Sequence, residues 1–248
     1  MPNGFELIAL LSVAAMAPFI IAVGTCFIKM SVVLVLVRNA IGLQNSPSNI
    51  TLNGVALLLS MFVMLPIAQD VHAYWIEHRI DVTDRDDLER FSTQGLSSYR
   101  TYLFNHARPA LVAYFDGIRR TPERDVGARL RASHGADGTA AADDVEAPSV
   151  ASSIPTADDR LTPESVSLFA LLPAYALSEL EDAFRIGFYL YLPFVVIDLV
   201  VSSILLALGM MMMSPLSISI PIKLILFIAM DGWTLLSRGL IDQYLVGP

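Results

Sequence analysis

From Leu7 to Ile28 the chain carries no charged side chain. A membrane-spanning helix needs about 20 consecutive apolar residues, so this stretch restricts the chain to folds that keep a long apolar helix out of water. The same constraint returns near the other end. There Gly187 to Leu208 and Leu216 to Leu236 are predominantly apolar and carry no charge except Asp198, Lys223 and Asp231. Composition agrees: 54% of the 248 residues are hydrophobic, 16% are charged, and mean hydropathy is +0.58. A soluble domain carries about 25% charged residues. The chain reads as an all-α membrane protein.

Its charges are unevenly placed. Of 24 acidic and 16 basic residues, 28 lie between Asp70 and Glu164, and all 11 basic ones there are arginine. The net charge of −8 offers no basic face for phosphates, so no nucleic-acid partner is expected. A single cysteine, Cys26, excludes an intrachain disulfide and a multi-cysteine metal site. His72, His78, His106 and His134 all fall in the charged middle without metal-ligand spacing. Neither a nucleophile motif nor a phosphate-binding glycine loop occurs. No enzymatic activity, cofactor or metal is expected.

Four regions follow. Residues 1–69 read as an apolar helical hairpin, and 70–131 as a polar, mostly helical external segment. Residues 132–163 are rich in Ala, Asp, Ser and Pro and poor in large apolar groups, which predicts a disordered linker. Residues 164–248 read as apolar helices joined by a methionine-rich turn. About four long apolar helices arranged as hairpins are thus expected. Leu7 to Val37 would be ~46 Å long as one helix, more than a ~30 Å hydrocarbon core, so Pro18 or Gly24 is expected to break it or protein to bury part of it. Met1 to Glu6 lack a basic residue, which favours a signal anchor with an outside N-terminus over a cleavable signal peptide.

Ser46 and Pro47 read as the cap and first position of a second helix, Ile50 to Ala68, kinked near its end by Pro66. Ser178 to Glu181 reads as a capping box, with Glu181 and Arg185 as an i,i+4 pair. Gly209 and Ser214-Pro215 bracket Met210, Met211, Met212 and Met213 as a turn between two helices. Lys29 and Arg38, between the first two helices, favour the cytoplasm. That places the N-terminus, the middle segment and the C-terminus outside.

Lys29, Asp198, Lys223 and Asp231 stand inside apolar stretches, where an unpaired charge costs at least ~2.5–3.5 kcal/mol. Opposite signs point to pairing, for instance Asp198 with Lys223, across the helical hairpin or between subunits. An assembly salt bridge and a proton or ion relay are both open, and Lys29 could instead snorkel to the interface. The four methionines could be apolar filler. Ringed by several subunits, their adaptable thioethers would make a deformable seal.

The stretches Leu171–Leu180, Ala183–Phe188, Tyr191–Ser203, Ala207–Pro215 and Asp231–Trp233 strongly resemble the FliP/SctR family of type III secretion export apparatus proteins. Leu36–Gly42, Gln44 and Phe62–Pro66 agree. The middle echoes the family only loosely, at Tyr99–Phe104 and Pro109–Gly117, and the linker resembles an insertion. The resemblance implies a homopentamer that joins SctS-type and SctT-type subunits, with SctU-type and SctV-type components, in a closed helical export gate. Unfolded secreted substrates pass through it across the bacterial inner membrane, and family helices stand largely above the membrane plane. It also implies that Met210–Met213 form the pore gasket. Glu179, inside a matching stretch, joins Lys29, Asp198, Lys223 and Asp231 as an expected assembly charge network. The lack of a cleavable leader leans toward the injectisome branch. Two other readings stay open: a secondary transporter or ion channel coupled through Asp198 and Lys223, and a plain membrane scaffold. Against the transporter, no internal repeat is visible.

Overall fold

A computed structural model describes residues 11–12, 15–16, 19, 21–43, 46–80, 85–119, 161–210 and 212–245. Every regular element among them is helical, as the long apolar runs lead one to expect. In chain order these are α1 (Phe27–Ile41), α2 (Asn49–His78), α3 (Arg85–Arg90) continuing into a π-helical turn (Phe91–Gly95), and α4 (Ser97–His106). Then come α5 (109–119), α6 (Leu168–Ala207), α7 (Pro215–Ala229) and α8 (Gly232–Leu245). Among the described residues α2 and α6 are each long and apolar enough to cross a membrane, and α7 with α8 make a third span if their 60° bend lies within it. That is two or three spans where about four were expected. Much of the expected first span, the linker up to residue 160 and His134 lie outside the described residues.

The chain forms two compact units. One combines Met1–Arg79 with Glu179–Pro248, and the other is Ile80–Ser178. In the first, α1 supplies more of the core than any other helix. Met30, Val33, Leu34 and Val37 pack with Ala56 and Val63 of α2, Ala183 and Phe194 of α6, Phe227 of α7, and Leu236 and Leu240 of α8. α6 approaches α1 closely at Gly187, where a Cβ would lie 2.2 Å from Leu36 Cδ1 and Leu36 would have to shift to admit it. At the other end of α1, Gly42 takes φ 93° as the helix stops. Gly42 and Leu43 N–H groups return to the Asn39 and Arg38 carbonyls, at 3.1 and 3.2 Å, satisfying the last carbonyls as a Schellman closure does.

Three helix limits differ from the sequence expectation, each for a local reason. Ser48, not Ser46, caps α2, because its Oγ accepts from the Thr51 N–H at 3.2 Å. Pro66 does not end α2, which runs on to His78; a long apolar helix tolerates one missing N–H where its other backbone bonds are kept. Ser178 does not start a helix, since α6 runs unbroken through it. There its hydroxyl donates back to the Ala174 carbonyl at 2.7 Å and accepts from the Arg108 N–H at 2.9 Å, so packing has used the side chain internally. Conversely, the stretch expected to be one last helix breaks at Met230–Asp231, where Asp231 takes φ 52°.

The second unit has a smaller interior. Leu103 of α4, Val112 of α5, and Leu171 and Tyr175 from the first turns of α6 are fully buried or nearly so. The hydroxyls of Tyr102 and Tyr175 hydrogen-bond at 2.7 Å across this core.

Candidate functional site

Two lysines, set deep in the first unit, organise its polar contacts. Lys29, in the first turn of α1, has a side chain 5% exposed and lies 3.2 Å from Glu179 Oε1, whose side chain is 1% exposed. Asp182 Oδ2 is 3.9 Å away, and the ammonium sits 4.7 Å above the centre of the Tyr244 ring. The Tyr244 hydroxyl donates to Glu179 Oε2. One buried ammonium therefore ties α1 to α6 and α8, with both carboxylate oxygens of Glu179 engaged. Lys29 does not snorkel.

The second lysine repeats the logic at the far end of α1. Lys223 Nζ on α7 lies 2.5 Å from Asp198 Oδ2 on α6 and donates to the Ala40 carbonyl at 3.3 Å. The Ala40 carbonyl belongs to the last turn of α1, where the helix dipole favours a cation. Lys223 is 4% exposed and Asp198 35%, so the pair is buried on one side and reaches the surface on the other. Asp198 and Lys223 meet across the hairpin of α6 and α7 within one chain.

Asp231 stands apart. It is exposed and forms no ion pair among the described residues. Its Oδ1 accepts from the Thr234 hydroxyl at 2.9 Å, and its carbonyl accepts from the Thr234 and Leu235 N–H groups, both at 3.1 Å. It turns the chain into α8. Gly232 then fits where a Cβ would meet Phe227 Cε2 at 2.3 Å. The Asp231-Gly232 dipeptide, a recognised turn signal, could have revealed this break.

Three contributors were missed in the sequence. Tyr244 and Asp182 carry no signal that pairs them with Lys29 from across the chain. Arg38 does carry one, as a cation in the last turn of a helix. It is 7% exposed, and its Nη1 donates to the Pro47 carbonyl at 3.1 Å and to Asn49 Oδ1 at 2.6 Å, fastening the turn between α1 and α2.

The methionines lie between α6 and α7. Gly209, at φ 75°, donates to the Leu206 carbonyl, and Met210 N–H donates to that of Leu205, both at 3.0 Å. The Met213 N–H reaches the Met210 carbonyl at 3.3 Å, and Ser214 with Pro215 opens α7. Backbone bonds thus close the turn from both ends while the side chains stay out. Met212 is fully exposed, and Met210 and Met213 are 40% and 43% exposed; Met211 lies outside the described residues. Among the described residues no group of His, Cys, Asp or Glu is placed to hold a metal.

Fold and site together define a class: an all-α membrane protein whose buried charges lock apolar helices and whose methionine turn projects from them. The FliP family model matches residues 10–240, and the chain belongs to the FliP family. It is 52% identical over 248 residues to surface presentation of antigens protein SpaP of Salmonella typhimurium, covering 99% of this chain and 98% of that one. It is 38% identical over 245 residues to Yop proteins translocation protein R of Yersinia pestis, covering 98% of each. Harpin secretion protein HrcR of Erwinia amylovora is 32% identical over 237 residues, covering 95% of this chain and 94% of its own. The FliP/SctR resemblance read from the sequence is borne out.

Proposed function

We infer that this chain is a non-enzymatic core subunit of a type III export gate, of the injectisome branch, in a bacterial inner membrane. The observation that carries the reading is the near end-to-end match to relatives named for protein translocation and secretion. In the assembly five copies join SctS-type and SctT-type subunits, with SctU-type and SctV-type components, around a path for unfolded secreted proteins. The middle segment faces the periplasm. Met210, Met211, Met212 and Met213 meet around the axis as a gasket, a role supported by the exposure of three of them on a closed turn. Unbranched thioethers can mould around irregular partners and relax again, which suits a seal that must open for varied chains.

The charges act as positioning groups. Lys29, Glu179, Asp198 and Lys223 hold the helices that carry the turn, and Asp231 is exposed and free to meet a neighbouring subunit. The transporter reading gains no support, because Lys223 is already held by Asp198 and a backbone carbonyl. The test is mass measurement of the detergent-extracted complex with its co-purifying partners. Several copies of the chain together with two small apolar subunits are expected. A lone chain that moves a small solute when reconstituted would overturn the gate.

A further inference from the structure

The methionine turn has a chemical property that a seal does not use. The single thiol, Cys26, is buried, which leaves thioethers as the accessible soft sulfur of the chain. Met30 is fully buried in the core of the first unit, whereas Met212 is fully exposed and Met210 and Met213 partly so. Met16, Met61 on α2 and Met230 are also exposed, at 58%, 65% and 50%. Met61 sits on a helix long and apolar enough to cross a membrane; among the described methionines Met212 alone is exposed in full, so a water-borne oxidant meets it first. A seal around an aqueous conduit does meet that oxidant. The turn is also held by its backbone bonds at Gly209, Met210 and Met213, so chemistry on its side chains alters the surface without unwinding a helix.

We propose that the methionine turn is an oxidation site: a peroxide converts Met212 first, and Met210 and Met213 more slowly, to sulfoxides, and the seal becomes leaky. The inference rests on the gasket reading. In the step, the thioether sulfur attacks one peroxide oxygen and the O–O bond breaks. An S–O bond forms, sulfur loses an electron pair that the peroxide gains, and the second oxygen leaves as water. The product is a polar, chiral group in place of a flexible apolar one, and sulfoxide reductases restore it. A ring of sulfoxides retains water that a ring of thioethers excludes, because burying a polar group without a partner is unfavourable. An oxidative burst would then tell the gate to lose its seal reversibly.

The experiment uses membrane vesicles carrying the whole export complex, loaded with a small dye and treated with hydrogen peroxide. Mass mapping should show sulfoxide on Met212 at least about tenfold faster than on Met30, and dye loss should rise several-fold and fall back after methionine sulfoxide reductase. Vesicles carrying Met210→Leu, Met212→Leu and Met213→Leu together should show little peroxide-dependent loss. Equal oxidation of Met30 and Met212 would overturn the proposal, as would sulfoxide on the turn without added leak, or the same leak in the leucine variant. Alanine at all four methionines, without oxidant, separates the two layers. A leaky alanine variant with a peroxide-insensitive wild type keeps the gasket and sinks the oxidation site, whereas a tight alanine variant sinks the gasket itself.

Discussion

The two units solve the problem of interior polarity in opposite ways. The middle of the sequence holds 28 of the 40 charged residues, yet two hydrogen bonds in the core of Ile80–Ser178 join neutral groups, Tyr102 with Tyr175 and the Arg108 N–H with Ser178. Asp116 is its one buried charged residue among those described. The flanks are nearly free of charge and nevertheless bury Lys29, Arg38, Glu179 and Lys223. The chain's two lysines are both among them. Among the described residues the second unit buries one charged side chain and the first buries four, each of the four with a polar or ionic partner. The comparison teaches that a lone charge in an apolar helix is better read as half of a contact than as an exposed group.

Breaking that comparison should cost most at Lys29. Glu179→Ala leaves a buried ammonium with only the more distant Asp182 carboxylate, 3.9 Å away, and the Tyr244 ring beside it, at about 3–5 kcal/mol, and recovery of folded protein in detergent should collapse. Replacing both partners, Lys29→Met with Glu179→Leu, should restore much of it, since a well-packed apolar pair can stand in for a buried ion pair. If the double variant is recovered no better than Glu179→Ala, the stranded-charge explanation fails. The second pair should be asymmetric. Asp198→Ala strands a lysine that is 4% exposed, whereas Lys223→Ala leaves a carboxylate that is 35% exposed. Thermal unfolding should therefore drop further for Asp198→Ala, and equal drops would contradict the geometry.

Much of this arrangement was legible because helices advertise their apolar length and because opposite charges in apolar runs need each other. Asp198 and Lys223 could be paired on those grounds alone. The Gly209 and Ser214-Pro215 brackets located the methionine turn, since both stop signals are local backbone chemistry. What stayed hidden depends on contacts distant in sequence. Ser178 with Glu181 looks like a helix start until Leu171, Ala174 and Tyr175 are seen packing the turns before it. Tyr244 has no local reason to seek Glu179. Asp231, grouped with the charges by its apolar surroundings, proved to be a turn residue, which its following glycine could have announced.

At the tyrosine pair of the second unit the effects should be smaller. Tyr175→Phe removes one hydrogen bond to Tyr102 and should lower local stability by about 1 kcal/mol, read as faster amide exchange along α4. A change as large as that at Glu179 would erase the distinction between the units. Smallest of all is a pH effect at Tyr99, whose phenol burial pushes up to about 12 from the usual 10. The folded chain keeps this proton while the unfolded chain releases it, so the contribution is intact below pH 10 and declines as pH rises toward 12. Tyr99→Phe should remove that part of the decline, and an unchanged alkaline profile would remove Tyr99 from the account.

The central claim is that buried charges fix the helices so that the methionine turn alone is left to act as a seal. Its most direct test is the small-solute permeability of membranes holding the assembled complex with Met210, Met211, Met212 and Met213 replaced by alanine. The account predicts a complex of unchanged mass in membranes that have become leaky. An intact complex in membranes as tight as wild type would contradict it.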